Sequence, residues 1–273
     1  DAAWTLEMAA TVPGPTWSGC HLRCLCLAQR LLRRSVSPES GRNRSGRPEA
    51  EHTGEQHHSL AMTTADPQFD GMYGPFTITS KDREEVQRYR VCLLISGASL
   101  SAGLLQWWLA GGEWAWLWLL PLGVSLGLAL QWIHIYLRPL HQALQLFWLL
   151  GCGGWLVLML QGSAGTALDT LASQPLWILA IGPMFAALTG IGFKEFFCFR
   201  RPEAIGLTLL LPVALLGRLL GLIGNGPCWF LVLFAGLLLV VLAVRKFGME
   251  AAADVGDKSV FAYLDAQREV AGP

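Results

Sequence analysis

Charge is what this sequence has least of. Asp, Glu, Lys and Arg make up 15% of the 273 residues, where a soluble globular domain carries about a quarter. Lys+Arg and Asp+Glu both total 20, so no positive excess points to nucleic acid as a partner. The shortage is also patterned. Six long apolar stretches contain no acid, and three of the connections between them contain no Lys or Arg. Motifs for chemistry are missing too. There is no G-x-x-x-x-G-K-[ST], no G-x-S-x-G, no H-E-x-x-H and no aspartate pair inside an apolar stretch. Cysteine never takes the paired C-x2-C spacing of a structural zinc site. Cys20, Cys24 and Cys26 do cluster beside His21, and we read that as chance in a polar leader. No metal and no cofactor is therefore expected.

Apolar length is what the sequence has in quantity. It is 53% hydrophobic, with mean hydropathy +0.42. A helix crosses about 30 Å of hydrocarbon with ~20 mostly apolar residues. Six stretches qualify: Val91–Ala110, Trp114–Leu137, Leu140–Leu160, Pro175–Phe193, Ile205–Ile223 and Cys228–Val244. The fold class expected is an all-α, polytopic transmembrane bundle of six spans. Its parts would be an N-terminal segment at 62–90, the membrane domain at 91–247 and a tail at 248–273. Residues 1–61 are of another kind, with seven Arg, no Lys and four His. They have too little apolar pattern to form a core. They are read as a disordered upstream extension or leader, with Met62 as the natural start.

Basic residues set the expected orientation. Lys81, Arg83, Arg88 and Arg90 precede the first span. Arg138 lies between the second and third, and Lys194, Arg200 and Arg201 between the fourth and fifth. Arg245 and Lys246 follow the sixth. By the positive-inside rule these connections and both termini face the cytoplasm. Trp107, Trp108, Trp114, Trp116 and Trp229 gather at the opposite ends, as headgroup anchors would. Small residues at i,i+4, such as Gly123/Gly127, Gly182/Ala186/Gly190 and Gly217/Gly221, suit close helix packing.

Candidate functional residues are the few polar ones in or beside the spans. Arg218 is the only strong charge inside one, and intramembrane charges mark function by default. Glu113 and Asp169 are its expected partners. Lys194 and Glu195 fall where the fourth span should end, in "GFKEFFCFRRPE". Lys194 would snorkel there, and Glu195 has no role in orientation. Gln131, His134 and Arg138 are spaced to share one face of the second span, with His141 and Gln145 opening the third. His134, His141 and Glu195 together could bind a divalent ion or relay a proton.

The segments "YGPFTITSKDREEVQRYR", "GIGFKEFFCFRRPEAIGLTLLLP" and "LLGRLLGLIG" give the stretch Tyr73–Phe247 a wider meaning. It resembles a family of uncharacterised integral membrane proteins found mainly in cyanobacteria, with plant relatives. The resemblance implies a plasma or thylakoid membrane and supplies no catalytic residues. Beyond the bilayer, membrane-protein partners or a second copy are the partners to expect. Three functions remain open. A small transporter or channel is slightly favoured, with an accessory or assembly role in a photosynthetic membrane complex next. A metal-dependent intramembrane enzyme is third.

Reporter fusions at Gly165 and Arg200 are expected to report opposite compartments. The same compartment for both would overturn the six-span topology.

Overall fold

The computed structural model describes residues 66–135, 137–161 and 164–271. The extension at 1–61, with its cysteine cluster, lies outside the described residues. A short hairpin comes first, β1 (Gln68–Gly71) paired antiparallel with β2 (Gly74–Thr77). Then follows α1 (Ser80–Ala110), opened by Thr79. The Thr79 hydroxyl accepts from the Asp82 backbone N–H, and the Asp82 carboxylate accepts from the Thr79 N–H. This reciprocal cap satisfies two donors that a helix start leaves open. It also explains why α1 begins well before the apolar run at Val91.

A 3-10 turn (Ala115–Trp118) leads into α2 (Leu119–Trp132), and α3 spans Arg138–Gln161. The short α4 (Ala167–Ser173) precedes α5 (Ile178–Phe199). Then come α6 (Pro202–Leu219), α7 (Asn225–Phe247), α8 (Ala251–Val255) and α9 (Ser259–Ala271). Six helical segments are long and apolar enough to cross a membrane, the second counted with its 3-10 turn as Ala115–Trp132 and the fourth as Pro175–Phe199. Their outward faces stay greasy: Val124, Leu156, Leu209 and Phe234 are all more than half exposed. In water such a surface would be an aggregation hazard. In lipid it is the expected exterior.

The spanning helices form a ring in the order α1, α7, α6, α5, α3, α2, with α2 returning to α1. First and last spans are thus neighbours, and both described ends of the chain lie at one end of the bundle. There the hairpin meets the tail: the Met72 N–H donates to Asp257 Oδ2 at 2.6 Å, and the Tyr73 and Tyr263 rings stack at 3.9 Å. We call this the terminal end. The opposite one is the loop end.

Three expectations about boundaries change. The second span stops at Trp132, so Gln131, His134 and Arg138 do not share a helix face. His134 lies in the linker and Arg138 opens α3, where Pro139 suits a helix start. The fourth span runs on to Phe199, so "GFKEFF" is helix and not loop. Only Arg200 and Arg201 link α5 to α6. Arg200 takes the left-handed conformation (φ 51°, ψ 36°) that turns the chain out of the helix, and Pro202 starts the next one. The fifth span ends at Leu219, which puts Arg218 in its last turn. There a cation suits the helix dipole.

Of the expected small residues, Gly127 and Gly190 lie in close contacts, against Trp148 and Leu144, while Gly123 and Gly182 have only ordinary contact. The tightest approach is α3 on α5. A Cβ at Gly154 would lie 2.1 Å from the Ala180 carbonyl oxygen, and one at Gly151 would lie 2.2 Å from the Met184 nitrogen. Gly221 is instead a turn residue at φ +72°. Gly154→Ala is expected to lower stability by about 1–3 kcal/mol in a detergent unfolding titration. Gly153→Ala, where nothing lies within 4 Å, should leave it unchanged. Equal effects would refute the backbone contact.

Candidate functional site

At the terminal end the bundle closes on a buried ion cluster. Its centre is Lys246, in the last turn of α7 and 1% exposed. The Lys246 ammonium donates to Glu195 Oε2 at 2.6 Å and makes a close contact with Asp254 of α8. It also lies over the Phe199 ring, 4.3 Å from the centroid, and near the Tyr89 ring. Glu195, on α5, is fully buried. Its other oxygen accepts from the Tyr89 hydroxyl at 2.7 Å and from Lys194 at 3.3 Å. Asp254 is held from the far side by Arg90 of α1, through Nε at 2.8 Å and Nη2 at 2.6 Å. Arg90 also donates to the Met249 and Glu250 carbonyls, fixing the start of the tail.

Three cations and two carboxylates therefore share one unit, leaving a net charge of +1. Removing such charges from water costs several kcal/mol per ion, which only close pairing offsets. Every carboxylate oxygen of the unit has a partner. A bidentate contact of Glu203 with Arg245 Nη1, at 2.9 and 3.0 Å, flanks it on α6 and α7.

The expected polar group at this end is rearranged. Lys194 does not snorkel into lipid; it points inward at Glu195 and packs over Tyr89 and Phe199. His134 faces Glu85 at 3.9 Å instead of Glu195. Burial pushes the His134 pKa below its usual value, and the Lys194 charge adds to this. Glu85 opposes it less strongly, so the imidazole is neutral near pH 7. His141 Nε2 lies 2.5 Å from the Leu130 carbonyl and caps the end of α2. That is a structural role, since α2 leaves its last carbonyls open. Arg138 reaches Asp265 at 2.7 Å in an exposed pair, worth little in water. His134, His141 and Glu195 thus do not form one ligand set. Asp82, Glu85 and His134 do bring ligand atoms within 4.8 Å of one another. Asp82, however, is committed to Thr79 and to the Lys258 ammonium at 2.8 Å. An ion there would have to displace Lys258.

The loop end holds a cavity instead of an ion cluster. The cavity has a volume of about 330 Å³, and all six spanning helices contribute to its wall. Trp107 and Trp108 come from α1, Leu122 from α2, Trp155 from α3 and Phe185 from α5. Arg218 of α6 and Trp229 of α7 complete the circuit. Arg218 pairs with neither Glu113 nor Asp169. Its Nε donates to Asn225 Oδ1 at 2.6 Å and its Nη2 to the Ala172 carbonyl at 2.9 Å, both neutral acceptors. Between cavity and ion cluster stands an apolar layer that includes Leu93, Leu188, Ile191 and Leu239, all at most 1% exposed. Glu195 lies ten residues along α5 from Phe185, about 15 Å at ~1.5 Å per residue.

Residues 128–263 match the model of a family described as "Uncharacterized integral membrane protein (DUF2301)". The chain is similar to that family over α2 to α9, and it is a multi-pass integral membrane protein with six candidate spans. The matched segment starts later than Tyr73 and extends past Phe247. It contains Lys194, Glu195, Arg218, Lys246 and Asp254, but not Tyr89 or Arg90. No curated protein and no solved structure matches the chain.

Sequence reasoning missed Tyr89, Arg90, Lys246 and Asp254 as site residues. One signal was present: Glu195, an acid stranded among cations at a span end, needed partners. The ion cluster predicts a coupling. Lys246→Met should cost about 3–5 kcal/mol, because two carboxylates lose a buried cation. Adding Glu195→Gln to it should cost less than the sum of the single changes, read by a double-mutant cycle in detergent. Strict additivity would mean the contact contributes nothing.

Proposed function

We propose that the protein is a small transporter whose substrate site is the loop-end cavity. The observation that carries this is the asymmetry along the ring axis. A cavity walled by every span lies at the loop end, and a paired ion cluster and an apolar layer fill the terminal end. This asymmetry supports reading the fold as one state of an alternating-access cycle, in which a central site meets each compartment in turn. Arg218, at the cavity wall with no carboxylate partner among the described residues, would attract the substrate. Lys194, Glu195 and Lys246 would hold the closed side and part when the cycle turns. In this reading the terminal end faces the cytoplasm, as the basic residues there suggest. The membrane is a plasma or thylakoid membrane, as the resemblance implies.

The test is uptake into proteoliposomes of three labelled anions: phosphate, succinate and dodecanoate. At least one should accumulate above empty vesicles, and Arg218→Ala should cut that uptake at least tenfold while the protein still inserts. No uptake of any of the three would overturn the reading. So would retained uptake in Arg218→Ala. Stoichiometric co-purification with another membrane protein, with no flux, would favour the assembly role instead.

A further inference from the structure

Resting on the reading of this cavity as the substrate site, we infer that its ligand is a single-chain amphiphile with an anionic head. The head sits at Arg218 and the chain lies inward among the indoles. Four observations lead there. Among the described residues the cavity wall contains no acid, and Arg218 is its one strongly basic residue, so a cation has nothing there to pair with. Arg218 spends two N–H donors on neutral acceptors, while a guanidinium offers more and matches a carboxylate or phosphate bidentately. The remaining wall is mostly aliphatic and aromatic, with Leu100, Leu122, Ile181 and Phe185 deep in it, so a fully hydrophilic anion would lose its water without compensation. The volume of about 330 Å³ is at the lower end of small-molecule sites, ~300–1,000 Å³, which suits one chain and not a two-chain lipid.

Position agrees with chemistry. Arg218 lies in the last turn of α6 and Asn225 in the first turn of α7, at the level where a bilayer places its own head groups. An amphiphile would keep its membrane orientation on entering. Trp155 adds an independent sign. It lines the cavity, and its indole N–H is buried with no acceptor among the described residues. A buried donor left unpaired is costly. An oxygen part-way along the ligand could accept from it after a small tilt of the ring. Trp118 and Trp229, also in the wall, already donate to Gln106 and to the Leu104 carbonyl.

The experiment uses the full chain in phosphatidylcholine nanodiscs. Quenching of tryptophan fluorescence by 12-bromododecanoate is titrated, and the saturable part is taken as cavity binding. Dodecanoate and dodecyl phosphate compete in separate arms, which tells a carboxylate head from a phosphate head. Dodecanol, dodecylammonium and inorganic phosphate serve as comparisons. One or both of the anionic amphiphiles should relieve quenching at least tenfold more tightly than the three comparison compounds. Arg218→Gln should weaken the anionic ligand about tenfold (~1.4 kcal/mol) and leave dodecanol unchanged. Ala172→Phe, which fills the wall, should remove the saturable part. If Arg218→Gln does not insert, the wild-type head-group series decides alone. Absence of saturable quenching, or equal competition by dodecanol or dodecylammonium, would overturn the inference. Binding without vesicle uptake would leave the ligand class standing and remove the transporter reading. Uptake of phosphate or succinate without saturable quenching would do the reverse.

Discussion

A lysine ammonium held away from water must keep its carboxylates, and Lys246 is where this chain meets that requirement. Its two acids come from different places, Glu195 from α5 and Asp254 from the tail. Each acid then needs a second cation or donor, which recruits Arg90, Tyr89 and Lys194. Four segments of chain are thereby fixed to one point. The geometry of the terminal end follows from that single charge, because any element that moved would strand an ion in a medium of low polarity.

Along the bundle axis polarity changes twice. Paired charges give way to an apolar layer, and the layer gives way to a cavity with one guanidinium in its wall. The two ends treat charge in opposite ways. At the terminal end cations are matched by acids and packed against rings. At the loop end Arg218 has, among the described residues, an amide and a backbone carbonyl as acceptors. The contrast is not a matter of depth alone, since both groups sit in the last turns of spanning helices. It separates a cation paired with acids from one held by neutral acceptors.

The spans were legible because about twenty apolar residues in a row have few other uses. Their ends were less so. The break after Trp132 carries no Gly or charge, so a hydropathy reading runs on through His134 to Leu137. Phe193 seemed a limit because Lys194 and Glu195 follow it, yet helix continues when such charges find partners inside. Pro202 was the better marker. The site was hardest to read, since the contacts that join its helices, Glu195 to Lys246, Tyr89 to Glu195 and Arg90 to Asp254, lie 51, 106 and 164 positions apart. Nothing local announces them. Lys246 and Arg90 looked like orientation signals, and Asp254 like part of a solvated tail. Helices that are apolar on most faces give little angular information, so the helix neighbours could not be deduced. For the same reason the expected glycine pairs missed Gly151 and Gly154, which only the α3–α5 crossing explains.

The ring order has a consequence for how the protein is made. The last span, α7, sits between α1 and α6, so the first helix to leave the ribosome waits for the final one to gain its largest partner. Until the tail follows, Arg90 lacks Asp254. The bundle is therefore a circle with a late keystone, and a nascent chain halted before residue 246 would have an open seam facing lipid where its closure should be.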